Sequence, residues 1–191
     1  MKNFSNNYVF SKQINENRNY FKQMRRFKDI SIGLFTEHDI SEQYLSWLND
    51  SKHMQYSDQQ FTSHSYDSAK VYLESFINSP NLFLKIQNEA GALMGTLTVY
   101  IDTFHKVHNC GILVDPNSVG LGFGKKAWVS LTHNICPLLG ARKIVGGTVA
   151  ENYAMIKLFE WSDMNFEARL HAEKQYNGRD YDVLIYSKFV S

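Results

Sequence analysis

The chain holds two cysteines and three prolines in 191 residues, and lacks any apolar run near membrane-spanning length. Cys110 and Cys136 lie in apolar segments with no CxxC spacing, which argues against a zinc ribbon or a dithiol redox motif. Buried free thiols in a cytoplasmic protein are the expectation. With no ~20-residue apolar stretch, no membrane-spanning helix is expected. The N-terminus has no apolar h-region, so no secretory signal is expected. Pro80, Pro116 and Pro137 stand far apart, and no Pro-rich or Gly/Ser-rich linker divides residues 29–191. The length suits one domain with a real core and is short for two.

Charge is nearly balanced at +1 but unevenly placed. Residues 1–28 carry Lys2, Lys12, Arg18, Lys22, Arg25, Arg26 and Lys28 against Glu16 alone, a surplus of six, so residues 29–191 stand at −5. Such a segment can touch nucleic acid, a membrane or an acidic partner, but Asn and Ser dilute it and no basic motif repeats, so a solvated arm that packs on the domain or a dimer mate is the expectation. The expected organisation is a basic extension over 1–28 and a single domain over 29–191.

What the domain has is a regular alternation of patterns. Residues 30–34 alternate like a strand. Asp39 or Ser41 can cap a helix through Tyr44, Leu45 and Leu48 to Asn49, and residues 66–77 place Ala69, Tyr72, Leu73, Phe76 and Ile77 on one helical face. Strands are predicted over 82–87 and 93–101, joined by the hairpin turn Asn88-Glu89-Ala90-Gly91, and over 107–114. Helix over 125–134, stopped at Cys136-Pro137, precedes a strand over 142–149 and a helix over 152–164. A hairpin over 166–189, turning at Asn177-Gly178, closes the chain. The implied class is α/β, a mixed sheet with helices on both faces. The helix between strands 107–114 and 142–149 is a crossover, so those two strands should run parallel.

Between strand and crossover helix lies Val119-Gly120-Leu121-Gly122-Phe123-Gly124-Lys125-Lys126. Alternate glycines let successive backbone N–H groups turn toward one point, and a helix opening there adds the positive end of its dipole, which together make a pyrophosphate cradle. A P-loop needs Ser or Thr after Gly-Lys, and Lys126 stands there instead. A dinucleotide fold needs GxGxxG in an early βαβ unit, and here the spacing is GxGxG, late, behind antiparallel strands.

Gly111-Ile112-Leu113-Val114-Asp115-Pro116 with the glycine loop resembles the central strand and [QR]xxGx[GA] loop of the GNAT superfamily of acyl-CoA-dependent N-acyltransferases. Asn152 with Met155 to Glu160 resembles the helix that follows the next strand in that family. The resemblance implies a GNAT fold whose central strands splay, with acetyl-CoA as acyl donor and no metal. It implies that Ile112, Leu113 and Val114 pair with the pantetheine arm. The N–H groups of Val119, Gly120, Leu121, Gly122, Phe123, Gly124 and Lys125 would then hold the pyrophosphate, with Asn152 and Phe159 also on the cofactor. Three departures stand out. Val119 replaces the Gln or Arg at the head of the loop. Phe159 stands where many relatives carry an acidic Tyr. Asp163-Met164 replaces a Gly-containing pair, which places Asp163 in the left-handed region.

Direct attack in a ternary complex needs a neutral amine and a stabilised oxyanion, and backbone N–H groups near Leu113 are the expected oxyanion donors. Where relatives place a Glu base, two positions before Gly111, Asn109 stands. His108, His105 and Asp102 are the neighbours with base chemistry, beside a water relay; Cys110 has no paired base. Residues 44–56 resemble a RimJ/RimL-like branch, including transferases of nucleotide-linked amino sugars. In such an acceptor site Trp47 and Tyr56 can stack on a sugar or base, and Asn49, Asp50 and Asp58 can bond hydroxyls or the amine; the alternative is that Trp47 belongs to the core and Asn49-Asp50 is a helix C-terminus. The expected acceptor is a small-molecule amine, most of all a nucleotide-linked amino sugar. A protein N-terminus, a polyamine, or a non-catalytic CoA-binding role remain as alternatives, and a homodimer through edge strands is compatible with the fold.

Overall fold

The computed structural model describes residues 18–190. Its centre is an eight-stranded sheet in the order β1-β2-β3-β4-β5-β6-β8-β7. The strands are β1 (Arg25–Phe27), β2 (Ile30–Leu34), β3 (Leu82–Asn88), β4 (Leu93–Asp102), β5 (Val107–Val114), β6 (Lys143–Val149), β7 (Asn165–Tyr176) and β8 (Arg179–Phe189). All neighbours are antiparallel except β5 and β6, which run parallel, as the crossover between them requires.

The helices are α1 (Glu42–Asn49), α2 (Tyr66–Ile77), α3 (Phe123–Ser130) and α4 (Tyr153–Trp161). Each of the first two starts where a serine can satisfy an orphan N–H. Ser41 accepts from the Tyr44 N–H, and Ser65 and Ser68 cap each other reciprocally. Two apolar cores lie on opposite sheet faces. Strand alternation sends Leu82, Leu84 and Ile86 to one core and Phe83 to the other. The first core holds α3 and α4 through Trp128 and Phe159; the second holds α1 and α2 through Tyr44, Trp47, Leu73 and Phe76.

Three details depart from sequence expectation. The sheet starts before Asp29: β1 pairs with β2 across a two-residue turn at Lys28-Asp29, and Phe21 is 1% exposed in the first core. Arg25-Arg26-Phe27 is too short and too charged to show alternation. Residues 1–17 of the basic extension lie outside the described residues. The helix expected to stop at Pro137 passes through it. A wide π turn (Leu131–Ile135) hands the Cys136 N–H to the Leu131 carbonyl, and Pro137 then falls in the first turn of a short final segment (Cys136–Leu138), where its missing N–H costs little. The last helix ends at Trp161 rather than Met164 because Asp163 turns left-handed, with φ +57°.

Candidate active site

β5 and β6 pair only over Val107–Asn109 and Lys143–Val145. Beyond Asn109 they part, while β5 stays paired to β4 up to Val114. A cleft of about 970 Å³ opens there. One half is walled by Ile112, Leu113 and Val114 of β5, by the glycine loop, and by Asn152, Lys157, Leu158 and Trp161. The other half is walled by α1, α2 and the connection between them.

The glycine loop is held from beneath. Buried Asp115 accepts from the Asn117 N–H and from the Ser118 hydroxyl, and its own N–H donates to the Met94 carbonyl. Gly120 and Gly122 then take φ +87° and +85°, a region that disfavours any Cβ. Gly124 approaches β5 so closely that a Cβ would sit 3.1 Å from Val114 Cγ2. Four consecutive N–H groups, from Gly122 to Lys125, find no acceptor among the described residues and stand at the N-terminus of α3. This cradle fits a pyrophosphate. Val119, Gly120, Gly122, Gly124 and Lys125 line the cleft; Leu121 turns to solvent, and Phe123 packs on the first core. Across the mouth, Lys125 Nζ lies 4.5 Å from the centre of the Trp161 ring.

Asn152 lines the cleft, and its carbonyl oxygen caps α4 by accepting from the Met155 N–H. Phe159 does not line it. The ring is fully buried, stacks on Tyr186 at 4.8 Å and fills the space over Gly146, where a Cβ would meet it at 2.5 Å. The helical spacing Ala154, Leu158, Trp161 faces the cleft, and Phe159 faces the core.

The histidines proposed from β5 are not brought to the cleft. His105 is exposed in the β4–β5 turn, at the far end of β5 from the glycine loop, and lines a separate surface cavity with Asn109 and Arg142. His108 is 1% exposed with Nδ1 unpartnered, and burial pushes its pKa down to about 4. Cys110 lines the cleft, but its thiol lies 3.6 Å from that of buried Cys136, with no base beside it.

On the acceptor side, Tyr56 lines the cleft as expected. Trp47 does not: at 2% exposure it packs edge-on against Tyr44 in the second core. Asp50 is a loop cap, its Oδ1 accepting from the Lys52 and His53 N–H groups. Asn49 is exposed, and its side chain bonds the backbone of His64. Asp58 pairs with Lys174 and accepts from the Tyr176 hydroxyl. Lys52, His53, Gln59, His64 and Tyr72 also line this half, and of these the helical period marks only Tyr72, on the apolar face of residues 66–77. Four of them sit in a polar connection with no regular spacing; Tyr72 lies on the α2 face that turns from core to cleft, its hydroxyl 3.0 Å from that of Tyr100. Burial, then the Tyr100 contact, raises the Tyr72 pKa. Among the cleft-lining residues are three lysines and two histidines and no carboxylate.

Among the described residues no group of His, Cys, Asp and Glu is arranged to hold a metal, and no helix is long and apolar enough to cross a membrane. No curated protein sequence matches the chain. Solved structures share its fold. Spermidine N-acetyltransferase from Vibrio cholerae, in complex with CoA and spermine, is 19% identical over 84% of this chain and 95% of its own, with TM-score 0.75. The ribosomal L7/L12 α-N-protein acetyltransferase RimL, in complex with coenzyme A, is 16% identical over 88% and 98%, with TM-score 0.79. The Microcin C7 self-immunity acetyltransferase MccE, in complex with acetyl-CoA and AMP, is 18% identical over 85% and 93%, with TM-score 0.74. The family model described as an acetyltransferase (GNAT) domain matches residues 30–165, most of the chain. The splayed sheet and the loop at its opening thus have their family: the chain belongs to the GNAT acetyltransferases and is an N-acetyltransferase whose donor is acetyl-CoA.

Proposed function

We propose that this enzyme acetylates the amine of a nucleotide-linked amino sugar. The observation that carries the reading is the charge of the cleft: Lys52, Lys125 and Lys157 line it, beside the imidazoles of His53 and His64, and no carboxylate does. A polyamine carries several positive charges and needs carboxylates to replace its hydration; this wall repels it. A nucleotide-linked sugar brings phosphates that such a wall attracts, and rings that Tyr44, Tyr56 and Phe83 can pack against. The MccE complex holds AMP as well as acetyl-CoA, which supports a nucleotide-bearing acceptor.

In this reading the N–H groups from Gly122 to Lys125 bind the donor's pyrophosphate and Ile112 to Val114 align its pantetheine arm. Backbone N–H groups near Leu113 face the oxyanion, and Asn152 borders the arm. The amine attacks the thioester directly, with no covalent enzyme intermediate, so positioning and oxyanion stabilisation supply most of the acceleration. The test is free-thiol release from acetyl-CoA with UDP-glucosamine, spermidine and an N-terminal peptide as acceptors. UDP-glucosamine is expected to turn over at least roughly tenfold faster than the other two, about 1.4 kcal/mol in transition-state binding. Preference for spermidine or for the peptide would overturn the assignment.

A further inference from the structure

The geometry points to His64 as the catalytic base that takes the proton from the acceptor ammonium, with Asn49 as the residue that positions it. The proposal rests on the acetyl-transfer reading of the cleft, and it fills the place that Asn109, buried His108 and exposed His105 leave empty.

Three sets of bonds hold His64. The Asn49 side chain grips its backbone at both ends: Oδ1 accepts from the His64 N–H and Nδ2 donates to the His64 carbonyl, each at 2.9 Å. Asn49 Nδ2 also donates to the Leu45 carbonyl at 2.9 Å, which ties the pair to α1. The ring is fixed by its own Nε2, 3.0 Å from the Gln59 carbonyl. A carbonyl can only accept, so Nε2 carries a hydrogen, and in the neutral ring Nδ1 keeps the lone pair. Nδ1 makes no hydrogen bond among the described residues. His64 is half-buried, lines the cleft, and directly precedes the capped start of α2 at Ser65. A base oriented by a second group and open at its other nitrogen is the arrangement proton abstraction requires. His53 also lines the cleft, but its Nε2 is buried without a partner and nothing fixes its ring.

The step balances as follows. His64 Nδ1 takes one proton from the ammonium, and the freed lone pair forms the C–N bond at the thioester carbonyl carbon. Collapse of the tetrahedral oxyanion breaks the C–S bond. The thiolate takes a second proton from the nitrogen, the third hydrogen stays on the amide, and His64 passes its proton to water. The charged and titratable groups sharing the cleft with His64 are Lys52, His53 and Tyr56 of the same connection, Tyr72 of α2, Cys110 of β5, and Lys125 and Lys157 across it. Tyr44 of α1 joins them, its pKa raised by burial.

The test measures kcat/KM for UDP-glucosamine against pH in wild type, His64→Gln and Asn49→Ala. His64→Gln is expected to lose roughly 100-fold or more near neutral pH. KM for acetyl-CoA should be unchanged. The deficit should shrink on raising the pH, as the amine supplies its own neutral form. Asn49→Ala should show a smaller loss with the same pH trend. A His64→Gln enzyme close to wild type at neutral pH overturns the proposal, and so does a deficit equal at every pH. The ring tautomer, read by nitrogen NMR in the free protein, should be Nε2–H; a dominant Nδ1–H form also overturns it. If wild type ignores UDP-glucosamine but acetylates another amine of the panel, only the acceptor reading falls. The same comparison is then made with that amine.

Discussion

Replacing Gly122 by aspartate is expected to abolish acetyl-CoA binding while the protein stays folded. Gly122 has φ +85°, and the nearest atom to a Cβ built there is Lys126 Cε at 3.9 Å, so a side chain has room. Aspartate tolerates the left-handed region better than most residues, at a cost of about 1–2 kcal/mol. Its carboxylate then stands among the N–H groups that the pyrophosphate needs and adds a negative charge against it. CoA affinity, measured by titration calorimetry, should fall by roughly 100-fold or more, about 2.7 kcal/mol. The melting temperature should fall by only a few degrees. Gly178→Asp provides the comparison. Gly178 has φ +74° and open space around it, in the β7–β8 turn, so it should lose similar stability and keep its CoA affinity. Undiminished affinity in folded Gly122→Asp would show that the loop is only a turn.

Acid should weaken the fold through His108. The ring is buried, and desolvation lowers its pKa to about 4, whereas in the unfolded chain it titrates near ~6.5. Above the unfolded value the ring is neutral in both states and stability is complete. Between the two values the unfolded chain binds a proton that the folded chain refuses, so stability falls as pH falls. Across that window the loss approaches about 3 kcal/mol, at 1.36 kcal/mol per unit. Urea unfolding at neutral pH and near pH 4.5 should show it. His108→Leu removes this loss but keeps the acid sensitivity of carboxylates such as Asp182 and Glu167, whose pKa values bonding lowers. The difference between the two slopes isolates His108; equal slopes would contradict a neutral buried imidazole.

Elements were legible where local chemistry and tertiary packing agree. Ser41 and Ser65 cap the helices they precede, Asn177-Gly178 turns the last hairpin, and Asp163 takes the left-handed conformation expected of it. The glycine loop was legible because its backbone, rather than its side chains, forms the cradle. Side-chain direction was harder to read. Phe159 and Trp161 are two positions apart on α4, and only the phase of the helix sends one to the core and the other to the cleft. Trp47 and Asn49 lie in a segment whose resemblance suggested contacts with an acceptor; one is core and the other grips His64. His64 itself was invisible in sequence. Its role depends on Asn49, fifteen positions away, and on the Gln59 carbonyl, and such contacts leave no periodic signal.

The most direct test of the account is amide hydrogen exchange along β5 in the presence and absence of CoA. Past Asn109 the strand has β4 on one side and no β6 partner on the other. If the pantetheine arm lies in that gap and the pyrophosphate on the loop, CoA should slow exchange at the outward amides of Ile112 to Val114 and at Gly122 to Lys125 together. Protection confined to other parts of the chain, with CoA demonstrably bound, would contradict the donor site described above.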